Sequence, residues 1–416
     1  MCYLIFNFTL IFSNIIFMKK KVIILLIFLQ GLIFNLNAQH GSINFEYGKF
    51  QELKDKAIKE NKLIFINAYT SWCAPCKWML DNIFTNDTIA DFYNSNFINT
   101  KIDMEKDEEG IELARKYNVI KFPSLLFIDG NGNLQHRMVG GMNLKEFYEL
   151  SKNAKNKEQN LAFYQSNYEN NKSDMNFLQK YIKVLDKAGL DFKEQLILYF
   201  SLQKDEDMFK HENWEMIEDY SYDIDSREFK YLISNKKKFD KLYSEHEVNE
   251  KVDQIHCYAL LSLLRVKPFD QVKYERLKNL IGTSNLANAK RTIFDAELIW
   301  AKESKDWDSF ARLANLNLDK YYSKDADILN DTAWDYFIHV TDSTSLAKAE
   351  IWSKLAIGLN PSYPNMDTYA SILYKNGKIE IAKKMANKAI QIAKNNGLSE
   401  SDYQATSDLL KKMAEN

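Results

Sequence analysis

The most specific chemistry in the sequence is carried by Cys73-Ala74-Pro75-Cys76, which follows the apolar run Leu63-Ile64-Phe65-Ile66 through Tyr69-Thr70-Ser71-Trp72. That order reads as a strand turning into a helix whose first residues hold both sulfurs. A sulfur at a helix N-terminus faces unpaired backbone N–H groups and the positive end of the dipole, so Cys73 is expected to titrate below an ordinary thiol and to be the nucleophile. The three-residue offset returns Cys76 to the same face within disulfide reach, where it can attack a mixed disulfide on Cys73 and release the product. Pro75 restricts the first helical turn and Trp72 can shield the pair. The chemistry is dithiol–disulfide exchange. A zinc site would want four ligands, and the remaining candidates, Cys257 with His256 and the single residues His40, His136, His211, His246 and His339, are scattered. A purely structural crosslink is the other alternative, but so short a loop removes little unfolded-state entropy. No metal and no cofactor is expected.

The rest of the chain must position that pair. With 55 Lys+Arg against 57 Asp+Glu the formal charge is −2, which provides no field for nucleic acid, and none is expected as a partner. A composition 46% hydrophobic and 27% charged belongs to a folding chain, and 416 residues suggest two or more domains. Most of the 13 glycines precede residue 142, so a mixed fold is expected first and a helical one after it.

Two apolar runs open the chain, Tyr3 to Phe17 and Val22 to Phe34, both shorter than the roughly 20 residues a membrane-crossing helix needs. The second follows Met18-Lys19-Lys20-Lys21 and ends near Ala38, the pattern of a Sec-type signal cleaved after Ala38. Residues 1–38 are therefore expected to be a signal region with Met18 as a candidate true start, and the protein to be periplasmic or otherwise exported; an uncleaved membrane anchor is the alternative. Without Cys2 the mature chain keeps Cys73, Cys76 and Cys257, an odd number that fits a working dithiol plus one spare thiol.

From Gln39 to Lys155 the pattern predicts helices over 45–60, 88–94, 109–117 and 144–154, strands at 63–66 and 97–103, and a hairpin of 122–129 with 134–139 around Gly130-Asn131-Gly132-Asn133. This is a mixed sheet flanked by helices on both faces. After residue 155 strand signals nearly vanish, and amphipathic patterns such as 174–188, 254–266 and 289–302 predict an all-helical domain over 156–416. Near its end Ala333, Ala349, Ala356 and Pro361, then Ala370, Gly377, Ala382, Ala386 and Ala389, fall where paired helices must approach closely. The spacing resembles a tetratricopeptide repeat, with irregular helix pairs as the competing description.

Ser71-Trp72-Cys73-Ala74-Pro75-Cys76-Lys77, with Phe122-Pro123-Ser124 before a strand and Val139-Gly140-Gly141 after the hairpin, resembles the thioredoxin family over about residues 45–155. Trp78, Met79 and the helix start Asn86-Asp87-Thr88 are further similar to exported bacterial thioredoxin-like proteins. The resemblance implies an α/β thioredoxin-like domain over 39–155, a cis peptide before Pro123 beside the disulfide, and a Phe122 backbone offered to an extended substrate. It also implies protein disulfides as substrates, an upstream redox protein as electron donor or acceptor, and catalytic Cys73 and Cys76 supported by Trp72, Ala74, Pro75, Lys77, Phe122 and Pro123. The Ala-Pro dipeptide is close to the Gly-Pro of reducing members, which points to a reductase. In one respect the sequence departs from the family: the buried Asp six residues before the nucleophile is replaced by Asn67, and a nearby Lys by Asn99. Neither amide is a proton acceptor at neutral pH.

The expectation is an exported thiol–disulfide oxidoreductase whose helical domain recruits a protein partner. The alternative is an envelope scaffold whose helical repeats bind a partner while the dithiol is idle or regulatory. His256-Cys257 is expected to be core, and Asp103, Glu105, Asp107, Glu108 and Glu109 a charged loop opening a helix.

Overall fold

The computed structural model describes residues 41–415; the expected signal region, with Met18 and Ala38, lies outside the described residues. By their contacts these residues divide into two compact units, one ending at Gln203 and one beginning at Lys204.

The first unit runs α1 (Phe50–Glu60), β1 (Leu63–Tyr69), α2 (Ala74–Asn82), α3 (Asp87–Asn96), β2 (Phe97–Asp103), α4 (Glu108–Lys116), β3 (Ser124–Ile128), β4 (Leu134–Val139) and α5 (Leu144–Lys155). The strands lie in the order β2-β1-β3-β4. β1 is parallel to β2 and antiparallel to β3, and β3 pairs antiparallel with β4. Alternation along each strand sends side chains to opposite faces. Phe65 and Phe127 meet Met79, Phe84, Tyr93 and Phe147 on the face covered by α2, α3 and α5. Ile64, Ile66, Ile98 and Leu126 meet Phe50, Leu53, Ala57 and Leu113 on the face covered by α1 and α4. Coverage of both faces explains why β1 reads as a continuous apolar run. Phe65, fully buried and ringed by Phe84, Tyr93, Phe127 and Phe147, anchors the first cluster, and its truncation to Ala would cost about 3–5 kcal/mol.

One helix begins later than its apolar spacing predicts. Ile43 and Phe45 belong to an extended segment instead: the Ile43 N–H donates to the Phe84 carbonyl and the Glu46 N–H to the Asn99 carbonyl, both at 2.8 Å. Phe45 meets the Phe84 ring edge-on, so its partial burial serves packing against the turn that follows α2 rather than a helical face.

The chain after residue 155 continues onto the same sheet. α6 (Leu161–Asn167) and α7 (Met175–Lys187) pack on β4, and α8 (Lys193–Leu202) follows. The buried His136 on β4 uses Nδ1 to accept the Leu161 N–H at 3.1 Å, which ties the first turn of α6 to the strand. Burial, with the Lys187 charge adding to it, pushes that imidazole down to about 4, so it is a neutral acceptor at physiological pH.

Among the described residues from Lys204 onward the regular elements are all helices. The hairpins Ala326–His339 with Ser343–Leu359 and Tyr363–Lys375 with Ile379–Asn395 bury Ala333, Ala349, Ala356, Ala370, Ala382, Ala386 and Ala389 completely. Small side chains there let neighbouring helix backbones approach. Gly377, at φ +77°, ends the helix at Lys375, a left-handed turn that a residue lacking Cβ adopts at least cost. The architecture is thus a mixed sheet flanked by helices followed by a helical region, as the sequence pattern predicts.

Candidate active site

Cys73 is the N-cap of α2: its extended backbone (φ −75°, ψ 102°) delivers the chain from β1, and its sulfur accepts the Cys76 N–H at 3.1 Å. A backbone donor aimed at this sulfur is the arrangement that stabilises a thiolate once the bond is reduced. The two cysteines form a disulfide with Cα atoms 5.3 Å apart. Pro75 occupies the first helical turn, where its missing N–H leaves no hydrogen bond unmade. Cys73 is 5% exposed and Cys76 1%, so both cysteines are buried and the one at the helix start is slightly the more exposed. Ala74, Pro75 and Lys77 are exposed around them.

Trp72 is 67% exposed, yet it is held at both ends. Its Nε1–H donates to Glu105 Oε2 at 2.8 Å, and its ring meets Phe122 edge-on at 5.9 Å. Phe122 precedes a cis peptide to the buried Pro123, and the Pro123 carbonyl accepts the Gly140 N–H at 2.8 Å. The Ser124 hydroxyl donates to the Lys121 carbonyl at 2.8 Å and braces the same turn. The expected surface residues Trp72, Pro75, Phe122 and Pro123 therefore share one linked set of turns: Trp72 touches Phe122, and Gly140-Gly141 joins Pro123 to the Pro75 ring.

Behind the dithiol the sheet carries buried amides. Asn67 follows Phe65 on the same face of β1, and Cys76 precedes Met79 by one turn on the buried side of α2, so both stand toward the C-terminal end of β1. Asn67 is 1% exposed and neither side-chain atom has a hydrogen-bond partner; Thr70 Oγ1 and Asn99 Oδ1 are likewise buried and unpaired. Asn99 Nδ2 donates to Asn94 Oδ1 at 3.2 Å.

Other singled-out residues take structural places. Asp107 Oδ1 caps α4 by accepting the Glu109 and Gly110 N–H groups, and Asp103 Oδ1 accepts those of Glu105 and Lys106. Cys257 packs among Leu260, Leu261 and their neighbours in the second unit. Reasoning from sequence missed the role of Glu105, which it treated as one helix-opening acid among several. Its contact with Trp72 spans 33 residues and leaves no local signal.

A family model described as a thioredoxin-like domain matches residues 50–155, the segment that contains the disulfide and the cis-proline. Residues 50–155 form a thioredoxin-like domain. The chain is 30% identical over 118 residues to the thiol:disulfide interchange protein DsbD of Colwellia psychrerythraea, a stretch covering 27% of this chain and 19% of that protein. It is 35% identical over 75 residues to thioredoxin-1 of Drosophila melanogaster, covering 18% of this chain and 64% of the other. The solution structure of a "putative disulphide-isomerase from Bacteroides thetaiotaomicron" is 39% identical, with 28% of this chain and 96% of that one covered and a TM-score of 0.26. The chain thus spans less than two thirds of the length of these curated relatives, and the thioredoxin-like domain is its homologous part. Homology to thiol:disulfide exchange proteins and the Cys73–Cys76 disulfide agree on redox chemistry in general.

Proposed function

We propose that this chain is an exported thiol–disulfide oxidoreductase that reduces protein disulfides through Cys73 and Cys76. The observation that carries the reading is the disulfide at the start of α2 beside the cis Phe122–Pro123 turn. The Cys73 thiolate, stabilised by the Cys76 N–H, attacks one sulfur of a substrate disulfide; a bond forms between Cys73 and that sulfur, and the other substrate sulfur leaves as a thiolate. Cys76 then loses its proton and attacks the Cys73 sulfur, which releases the second substrate thiol and leaves the Cys73–Cys76 disulfide. Two electrons have passed to the substrate. They are restored by exchange with the dithiol of an upstream redox protein, so the cycle uses no bound cofactor. Trp72, Ala74, Pro75, Lys77, Phe122 and Pro123 shape the contact surface, and the C-terminal helices, read as tetratricopeptide-like pairs, recruit a protein partner.

Two measurements test this. Cys76→Ser should accumulate mixed disulfides between Cys73 and substrate proteins, whereas Cys73→Ser should abolish turnover. A reversible couple near about −270 mV supports the reductase, and one near about −120 mV makes the protein an oxidant. A pair that forms no reversible disulfide sinks the enzyme and leaves the scaffold reading, under which Cys73→Ser keeps partner binding and cellular function.

A further inference from the structure

The surface beside the dithiol continues onto residues beyond the thioredoxin-like segment. Gly141 lies against the Pro75 ring, where an added Cβ would stand 3.5 Å from Pro75 Cβ. Two residues earlier Val139 pairs with Ser124, the residue after the cis-proline. Val139 in turn receives Gly189, whose Cβ, if it had one, would stand 3.0 Å from Val139 Cγ2. Gly189 closes α7 at φ +64°, its N–H donating to the Asp186 carbonyl at 2.8 Å and the Leu190 N–H to the Leu185 carbonyl at 2.9 Å. A residue without a side chain is needed both for that left-handed turn and for the close approach. The turn from Lys187 to Phe192 is therefore fixed against the end of β4, in unbroken contact with the loop that touches Pro75. Lys187 and Asp191 are exposed on it, and Leu190 and Phe192 are half-buried.

We propose that the 187–192 turn is a wall of the substrate surface and makes the site selective for polypeptide disulfides over small-molecule ones. The proposal rests on the exchange activity proposed above. β4 ends at Val139 and the chain bends at Gly140 (φ +98°), so the two residues from Val139 to Gly141, plus one side-chain contact, keep the turn within roughly 11 Å of the Pro75 ring. A substrate strand lying along Phe122 reaches it with about three residues beyond its own cysteine. A small disulfide ends before the wall. Lys187 and Asp191 are the charges that the flanking residues of a polypeptide meet there.

The full chain is assayed on hydroxyethyl disulfide and on two peptide disulfides whose cysteines are flanked by Glu or by Lys residues. Lys187→Glu should lower kcat/KM for the Glu peptide and raise it for the Lys peptide by about two- to fivefold at low salt, the size of an exposed charge pair. Asp191→Asn keeps the oxygen that accepts the Lys193 N–H at 2.9 Å and should shift the two peptides the opposite way. Hydroxyethyl disulfide should be unaffected by both. If neither variant separates the two peptides, or if all three disulfides change together, the wall is overturned. Failure of the unsubstituted protein to reduce hydroxyethyl disulfide at all overturns the exchange reading instead, and with it the basis of the wall.

Discussion

The indole N–H of Trp72 donates to Glu105 at 2.8 Å while its ring meets Phe122 edge-on, so the most exposed aromatic at the dithiol has a partner on each of two loops. Glu105 lies in the loop after β2, and Phe122 sits at the cis-proline turn before β3. The indole thus links two loops that must stay in register for a substrate to reach Cys73. A solvent-exposed hydrogen bond to a carboxylate contributes about 0.5–1.5 kcal/mol. Glu105→Ala should therefore lower kcat/KM on a polypeptide disulfide about two- to tenfold, with a shift of the Trp72 indole N–H resonance. Glu105→Gln keeps an acceptor oxygen and should retain most of the rate. Unchanged turnover in Glu105→Ala would mean that the orientation of Trp72 does not matter to the reaction.

Asn67 is an expense to the fold that the chemistry can explain. A buried amide with both atoms unpaired costs about 1–3 kcal/mol, and an apolar residue of similar volume would not incur it. Asn67→Leu should raise the stability of the oxidised protein by on the order of 1 kcal/mol and slow release from a Cys73 mixed disulfide. Asn67→Asp supplies the proton acceptor that an amide lacks. Burial raises the pKa of the new carboxyl, so the variant should lose stability as pH rises from about 4 through that raised value. Its release step should accelerate over the same rise, when followed by stopped-flow at a series of pH values. A release rate indifferent to both substitutions removes Asn67 from the mechanism.

How much could be read beforehand differs between residues whose signals are local and those whose partners are remote. β2 and β4 begin and end at the predicted residues because Phe97 and Leu134 follow clear breaks in the pattern. The pair Cys73 and Cys76 is legible because three-residue spacing on a helix fixes its geometry, and the cis-proline followed from the family resemblance alone. Phe45 misled, since its apolar side chain satisfies Phe84 from an extended segment and not from a helix. The second of the amphipathic patterns, 254–266, also belongs to a longer helix, from Glu245 to Arg265, because the polar stretch before Gln254 is capped by Ser244 and continues the same helix. Contacts such as Glu105 with Trp72, His136 with Leu161 and Gly189 with Val139 join distant positions, and no periodicity encodes them.

His136 ties α6 to β4 only while it is neutral. Its imidazole is pushed from 6.5 down to about 4, so between those values the unfolded chain binds a proton that the folded one refuses. The stabilisation is fully present above pH 6.5 and is lost as pH falls toward 4, a change of roughly 3 kcal/mol. His256 in the second unit, also lowered to about 4 by burial, slopes the same way, so the readout must be local. Hydrogen exchange at the Leu161 N–H should speed up on acidification through this window. His136→Asn, which offers an acceptor that does not titrate, should flatten that dependence. A Leu161 N–H whose protection is constant from pH 7 to pH 4 would contradict the tie.

The spare thiol can be separated from the working pair by reactivity. Burial pushes Cys257 up to about 11, with the Asp295 and Asp253 carboxylates adding to the shift and Arg265 opposing it. At pH 7.5 such a thiol is ionised on the order of 100-fold less than a free cysteine, and attack by iodoacetamide requires the thiolate. Cys73, at a helix N-terminus with the Cys76 N–H directed at its sulfur, has the opposite environment once the disulfide is reduced. After reduction with dithiothreitol and removal of the reductant, timed alkylation read by peptide mass spectrometry should label Cys73 first and Cys257 last. Cys257→Ser should leave disulfide turnover unchanged, since its neighbours Leu260 and Leu261 assign it to packing. Labelling of Cys257 as fast as Cys73 would contradict that assignment and make it a third participant in the exchange.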